Sequence, residues 1–390
     1  MKILHVTPVY PPHVGGTEGY VYNLVKHERI LGNDVRVITS HLSDNNRSEA
    51  GVFRLPVLYN FKGDWGEMPI CPTIFSALKH INCDVIHGHI CSRFFVESVP
   101  INRLFRKKKT PFVLTYHYYA GGSNRTMKTL TYLHDLTFMR MLLRTADTII
   151  AITESNKQIL SNVFGVDSNK IVVIPPGIEM ELFSPERFSP QSVKKKYQIF
   201  DENIIMNIGR LAEGKGVNYL IEALQTIHEE IPDAALVIVG DGPYRTKLQK
   251  LAHEKKLDPF VRFIGQIEAE DVPEIISIAD VVVLPSVAEM FGVVLIEALS
   301  MAKPVIATRL EGICETICRD PRKGSAKCET GILFEKGNIG QLANAITELL
   351  SDKKMATRMG TRGRELVKEK YDWNIITPKI LQIYEKTLKV

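Results

Sequence analysis

Short apolar or β-branched runs alternate with helical patterns along almost the whole chain, and this constrains the possible folds more than any other feature. Residues 2–7, 34–39, 85–89, 112–115 and 148–153 read as one series of buried strands, and 204–208, 235–239, 261–264, 281–284 and 305–308 as a second. Strands that alternate with helices form parallel sheets covered on both faces. At 390 residues the chain exceeds what one core usually supports, so two Rossmann-like α/β domains are expected, facing each other across a cleft. Between the series, Ile174-Pro-Pro-Gly-Ile-Glu179 leads into Phe183-Ser-Pro-Glu186 and Pro190, punctuation that breaks regular structure. The boundary is expected near residues 175–200, with 1–180 as the first domain and 181–370 as the second. Tyr371-Asp-Trp373 opens a last amphipathic helix, 371–390, expected to pack back on the first domain.

Composition narrows the function. Apolar residues make up 45% of the chain, enough for ordinary globular cores. The longest apolar stretches fall far short of the roughly 20 residues a membrane-spanning helix needs. The start, MKILHVTPVYPP, reads as a first buried strand rather than a signal peptide, which places the protein in the cytoplasm. A net charge of +5 is too small for a duplex-binding footprint, and no nucleic-acid partner is expected. One dense basic run, Arg103, Arg106, Lys107, Lys108 and Lys109, suits either a solvated connection between a helix and a strand, or an anionic membrane surface or acidic acceptor. The six cysteines lack paired CxxC spacing, so no metal site is expected and the thiols should stay reduced. A disulfide involving Cys314, Cys318 or Cys328 is the alternative.

In open α/β sheets ligands collect beyond the carboxyl ends of the strands. After the first strand comes Gly15-Gly16-Thr17-Glu18, where glycines let backbone approach a ligand and a helix starting at about Thr17 offers amides to a phosphate. No GxGxxG fingerprint is present, which argues against a dinucleotide-dependent oxidoreductase. The second series opens with a strand and then Gly209-Arg210-Leu-Ala-Glu-Gly214-Lys215-Gly216. Two cations on one strand-to-helix loop can neutralise a diphosphate, Arg210 as a planar fork and Lys215 as a point charge. Gly240-Asp-Gly242-Pro243 is a further close-approach loop. The most distinctive segment is Glu289-Met290-Phe291-Gly292-Val293-Val-Leu-Ile-Glu297. With a helix beginning near Phe291, its first amides can bind phosphate, and the two carboxylates can accept hydrogen bonds from sugar hydroxyls.

Together, the glutamate pair with its Phe-Gly step, the Gly-Arg...Lys-Gly loop, the amino-terminal Gly-Gly and the Pro-Gly-Ile linker resemble the family 4 retaining glycosyltransferases, enzymes of GT-B fold, over nearly the whole chain. The resemblance implies an acceptor-side first domain and a nucleotide-sugar-binding second domain. It assigns Glu289 to the donor sugar, Glu297 to the nucleotide ribose, Arg210 and Lys215 to the diphosphate, and Gly16 to the donor phosphate. Gly15, Gly240, Gly242, Met290, Phe291, Gly292 and Val293 complete the donor side. His117, in Thr115-Tyr-His117, matches a histidine near the donor sugar. His87 and His89, in Val-Ile-His-Gly-His, match another strand end of the family. Tyr116, Tyr118 and Tyr119 either flank an acceptor or pack internally. Two departures stand out: Met290 replaces a glycine beside the sugar pocket, and Lys303 replaces the glycine before Pro-Val-Ile.

The expected reaction is transfer of a hexose or N-acetylhexosamine from a UDP- or GDP-sugar to a glycan, lipid-linked or small-molecule acceptor. The cations and amides would stabilise the departing diphosphate. No cofactor is obligatory, since no Asp-x-Asp motif is present, although a divalent ion remains possible. Retention by front-face attack, with the diphosphate helping to remove the acceptor proton and His117 assisting, follows from the resemblance, and domain closure is expected. Two alternatives stand beside it: a nucleotide-sugar epimerase of similar fold, and a non-catalytic nucleotide-sugar-binding protein.

Overall fold

A computed structural model describes residues 1–390 except 14, 43–48, 64–65, 92–93, 105–108, 118–133, 322–324 and 390. The chain divides into two compact units, Met1–Gly177 with Trp373–Val390, and Ile178–Asp372.

In the first unit the strands are β1 (Lys2–Val6), β2 (Asp34–His41), β3 (Val52–Pro56), β6 (Val85–Ile90), β7 (Phe112–Tyr116), β8 (Thr148–Ala151) and β9 (Ile171–Val173). They form a parallel sheet in the order β3-β2-β1-β6-β7-β8-β9. A separate antiparallel hairpin pairs β4 (Tyr59–Gly63) with β5 (Gly66–Ile70). The strand order reverses between β1 and β6, so the loops after these strands border the crevice where ligands gather.

β6 is buried along its whole length, as a central parallel strand must be. The first helix, Gly16–Ile30, turns Tyr20, Val21, Leu24, Val25 and Glu28 inward. The last helix, Trp373–Leu388, packs Trp373, Ile376, Ile380 and Tyr384 into the same core. Gly177 admits this helix, because a Cβ there would lie 2.4 Å from the Trp373 ring.

The second unit carries β10 (Asn203–Ile208), β11 (Ala234–Val239), β12 (Val261–Gly265), β13 (Val281–Leu284), β14 (Val305–Thr308) and β15 (Gly331–Phe334). The sheet is again parallel, in the order β12-β11-β10-β13-β14-β15, with its switch point between β10 and β13. Its core joins Ile205, Leu236, Ile238, Val281 and Val283 to Leu220, Ile221 and Leu224 of the helix Val217–Glu230. The helix Lys353–Lys370 lies close against the helix Val293–Ser300. A Cβ on Gly363 would meet Leu299 at 2.4 Å, and one on Gly360 would overlap the Ala302 carbonyl oxygen. Arg364 then donates to the carbonyls of Ser300 and Phe183, occupying an acceptor at the end of that shorter helix.

Of the cysteines, Cys318 and Cys328 form a disulfide, the alternative to the expected reduced state, and Cys314 takes no part in it. No helix among the described residues is long and apolar enough to cross a membrane.

Candidate functional site

The donor-side residues of the second unit sit on three loops that leave the carboxyl ends of β10, β11 and β13. Gly216 adopts φ 66°, the left-handed region that favours glycine, and caps the helix Val217–Glu230. A Cβ there would lie 2.1 Å from the Pro285 carbonyl oxygen, and the Val287 amide donates to the Gly214 carbonyl at 3.0 Å. The loop after β10 is therefore held directly against the loop after β13. This brings Lys215 Nζ to 2.7 Å from Glu289 Oε2, while Glu289 Oε1 accepts from the Met290 amide at 3.3 Å. Arg210 is exposed on the same loop as Lys215.

The glycines after β11 have a different reason from the one expected. A Cβ on Gly240 would meet the Gly209 carbonyl oxygen at 2.1 Å, and one on Gly242 the Leu211 carbonyl oxygen at 2.3 Å. Their close approach is to the neighbouring loop, which they hold in place: the Leu211 amide donates to the Asp241 carbonyl at 2.9 Å. They shape the donor side by placing the chain around Arg210.

The helix after β13 starts at Val293, two residues later than the sequence suggests, with Gly292 as its cap at φ 74°. Phe291 is buried and packs edge-on against Tyr371, with ring centroids 5.6 Å apart, and its carbonyl accepts from the Thr316 hydroxyl at 2.8 Å. Phe291 thus anchors the loop and leaves its neighbours Glu289 and Met290 partly exposed. Gly312 lies hard against Met290, since a Cβ there would fall on the Met290 carbonyl. Glu297 lies on the fifth residue of the helix, and burial pushes its carboxyl up to about 7.

In the first unit the helix begins at Gly16 with Gly15 as its cap, both exposed, so Thr17 is inside the first turn rather than a cap. His117 follows β7, its amide donating to the Ile90 carbonyl at 3.0 Å. Its ring lies edge-on to Tyr20, with centroids 4.7 Å apart, and burial lowers its pKa to about 3, so it is neutral at physiological pH.

Tyr116 takes the internal packing that the sequence left open, and the expectation for Arg103 needs correction. Tyr116 is fully buried near Phe164 and cannot flank an acceptor, because it ends a central strand whose side chains all face packed layers. Arg103 is likewise no free surface cation. It is buried, pairs with Asp147 at 2.7 Å and donates to the Thr145 carbonyl at 2.7 Å, with Lys109 3.9 Å from the same aspartate. Tyr118, Tyr119, Arg106, Lys107 and Lys108 lie outside the described residues.

The sequence reading missed the surroundings of His117. His5 on β1 pairs in register with His87 on β6, and His87 with Val113 and His89 with Thr115 across β6 and β7. With a side-chain period of two, His5, His87, His89, Thr115 and His117 share one sheet face. The helices covering that face contribute Glu28 and Tyr384. Histidines two apart on an apolar strand were the available signal. Glu28, 23 residues from His5, and Tyr384, 297 residues from His87, carried none.

Two parallel-sheet units of this kind make the GT-B architecture of glycosyltransferases. Residues 14–182 match the family described as Glycosyltransferase Family 4, and residues 190–366 match Glycosyl transferases group 1. The chain belongs to the family 4 glycosyltransferases. Among relatives, a GDP-mannose-dependent alpha-(1-6)-phosphatidylinositol monomannoside mannosyltransferase of Mycobacterium tuberculosis is 25% identical over 97% of each chain. A sulfoquinovosyl transferase of Arabidopsis thaliana is 26% identical, covering 97% of this chain and 72% of its own. Among solved structures, sucrose-phosphate synthase from Thermosynechococcus elongatus superposes with a TM-score of 0.79 at 23% identity, covering 99% of this chain and 98% of its own. Anabaena HepE in complex with UDP and glucose gives a TM-score of 0.79 at 20% identity, covering 99% and 100%.

Proposed function

We propose that this glycosyltransferase moves a hexose or N-acetylhexosamine from a UDP- or GDP-sugar to a glycan, lipid-linked or small-molecule acceptor, with retention at the anomeric carbon. The observation that carries the reading is the convergence of Lys215 and Glu289, 2.7 Å apart at the switch point of the second sheet, with Arg210 on the same loop as the lysine. As the bond to the anomeric carbon breaks, negative charge grows on the departing diphosphate. Arg210, Lys215 and the first-turn amides after Gly292 are the groups suited to receive it. That charge needs no obligatory metal. Glu289 would hold hydroxyls of the sugar and Glu297 those of the ribose, with Met290 adding bulk beside the sugar. Gly16, with Gly15, would take the donor phosphate from the first unit, and His117 would act near the sugar as a neutral ring. Both donor types have support from the similar proteins: the mycobacterial relative is GDP-mannose-dependent, and HepE is seen with UDP and glucose. Work in the cytoplasm at the inner face of a membrane is part of the same reading; what supports the membrane is the mycobacterial relative, whose name gives phosphatidylinositol monomannoside.

The test is to titrate the protein with UDP-, GDP-, ADP- and dTDP-sugars, follow thermal stabilisation, and then determine the anomeric configuration of the product by NMR. A donor whose stabilisation falls sharply in Arg210→Ala supports the site, because a ligand that binds only the native state raises its melting point. An inverted product overturns the retaining mechanism, and release of a changed nucleotide-sugar without acceptor consumption favours an epimerase.

A further inference from the structure

His117 does not stand alone in the first unit. Its Nε2 lies 3.5 Å from His89 Nδ1, His89 Nε2 lies 2.9 Å from His5 Nδ1, and His5 Nε2 lies 2.6 Å from Glu28 Oε2. From the other carboxylate oxygen the chain continues: the Tyr384 hydroxyl donates to Glu28 Oε1 at 2.9 Å, its oxygen is 2.6 Å from His87 Nδ1, and His87 Nε2 is 2.7 Å from Thr115 Oγ1. His5, Glu28, His87, His89 and Thr115 are completely buried, as is Tyr384. Both ring nitrogens of His5, His87 and His89 have a protein partner in this chain. That accounts for three histidines whose ligand atoms are close enough to suggest a metal site.

We infer that this is a buried hydrogen-bonded relay in which Glu28, through His5 and His89, sets which ring nitrogen of His117 carries its proton. The logic is donor and acceptor counting. Tyr384 gives its proton to Glu28, so its oxygen accepts from His87 Nδ1–H, and neutral His87 accepts at Nε2 from Thr115. As a carboxylate, Glu28 also accepts from His5 Nε2–H. With one proton on its ring, His5 then accepts at Nδ1 from His89 Nε2–H, and His89 accepts at Nδ1 from His117 Nε2–H. His117 is left with a bare Nδ1 lone pair. Burial and the neighbouring rings hold His87 and His89 neutral, which keeps each link a one-proton link. Tyr20, packed edge-on against His89 and His117, covers the outer end. Glu28, His5 and His89 are thus positioning residues that act through His117.

A proton taken up at His117 Nδ1 can move inward by one step at each link: Nε2–H to His89 Nδ1, and His89 Nε2–H to His5 Nδ1. The last transfer leaves both ring nitrogens of His5 protonated, with Nε2–H still donating to Glu28 Oε2. No bond other than N–H bonds is made or broken, and charge is conserved.

The existence of the relay needs no substrate, but its use in transfer rests on the role of His117 proposed above. The test is long-range proton–nitrogen NMR on histidine-labelled protein. Wild type is expected to show His5, His89 and His117 as Nε2–H tautomers and His87 as Nδ1–H. Glu28→Gln keeps the shape, but its amide must donate to His5 Nε2 if its oxygen is to keep accepting from Tyr384. His5, His89 and His117 should then all switch to Nδ1–H, while His87 stays unchanged. With the wrong tautomer at a catalytic histidine, kcat can fall by as much as about 10⁴-fold. Glu28→Gln is expected to lose at least about tenfold in kcat with donor KM little changed. Tyr384→Phe should leave the His117 tautomer as it was.

A wild-type pattern other than the one stated overturns the relay, and that measurement stands even if Glu28→Gln fails to fold. Unchanged tautomers in folded Glu28→Gln overturn it too, as does elemental analysis showing zinc bound in wild type and lost in His89→Gln. Switched tautomers with unchanged kcat would keep the relay and refute its use in transfer. Absence of turnover with every nucleotide-sugar would refute the function, and the tautomers would still decide the relay.

Discussion

Lys215→Ala separates a structural role of the lysine from a chemical one. Its ammonium is paired with Glu289, but the lysine is 37% and the glutamate 19% exposed. Water screens such a pair, and exposed ion pairs contribute only about 0.2–1 kcal/mol. For a domain near 200 residues that corresponds to a loss of no more than about 4 °C in melting temperature. The chemical role is much larger. If the ammonium faces the departing diphosphate, its removal resembles the loss of one preorganised donor to developing charge, about 2.7–4 kcal/mol or 10²–10³-fold in kcat. The expected result is a nearly unchanged melting temperature with a collapse in turnover, read as nucleoside diphosphate released from UDP-glucose and GDP-mannose with and without acceptor. A kcat within about threefold of wild type, a cost under 1 kcal/mol, would remove Lys215 from the leaving-group site. A fall in melting temperature beyond about 8 °C would show that the lysine holds the two loops together instead.

Glu289→Gln frees the Lys215 ammonium, so free nucleoside diphosphate should bind as well as in wild type or up to about fivefold tighter, about 1 kcal/mol, while sugar transfer is largely lost. Isothermal calorimetry that shows weaker diphosphate binding would contradict the exchange of partners at Lys215. For Glu297 the folded-state pKa, about 7, is raised above the unfolded value, so the native state binds more protons and stability falls as pH rises from the ordinary carboxyl range through 7. Glu297→Gln should therefore match wild type near pH 4 and melt higher at pH 8, and equal melting points at pH 8 would refute the buried-carboxyl reading. Gly216→Ala forces a left-handed backbone on a residue with a Cβ, costing about 1–2 kcal/mol, and drives that Cβ against the Pro285 carbonyl. Thermal melts and donor titration should both suffer, and a silent substitution would show that the contact between the loops after β10 and β13 does not matter.

The primary sequence by itself determined the parallel α/β architecture, because a buried parallel strand is a nearly continuous apolar run and a helix has a different period. β10 and β13 stand out as the runs 204–208 and 281–284 for that reason. The family was legible as well, in the Glu289 to Glu297 segment and the Arg210 to Lys215 loop. Less visible were β3, β9 and β15, which the sequence reading passed over: β9 has three residues, and β3 ends on a proline. Local periodicity needs a longer window than such strands provide.

What only the tertiary structure decided is which groups meet. Lys215 and Glu289 are 74 residues apart and touch because Gly216 lets one loop lie against another. Gly240 and Gly242 look like ligand-binding glycines in sequence, yet each faces a neighbouring carbonyl. Glu28 reads as one more charged residue on an amphipathic helix. It becomes the centre of a polar chain only because the sheet gathers four histidines on one face and the last helix brings Tyr384, 356 positions away, to its carboxylate. Hydrogen bonds and ion pairs act over a few ångströms of space. Distance along the chain does not enter them, so no local pattern in the sequence could have announced these contacts.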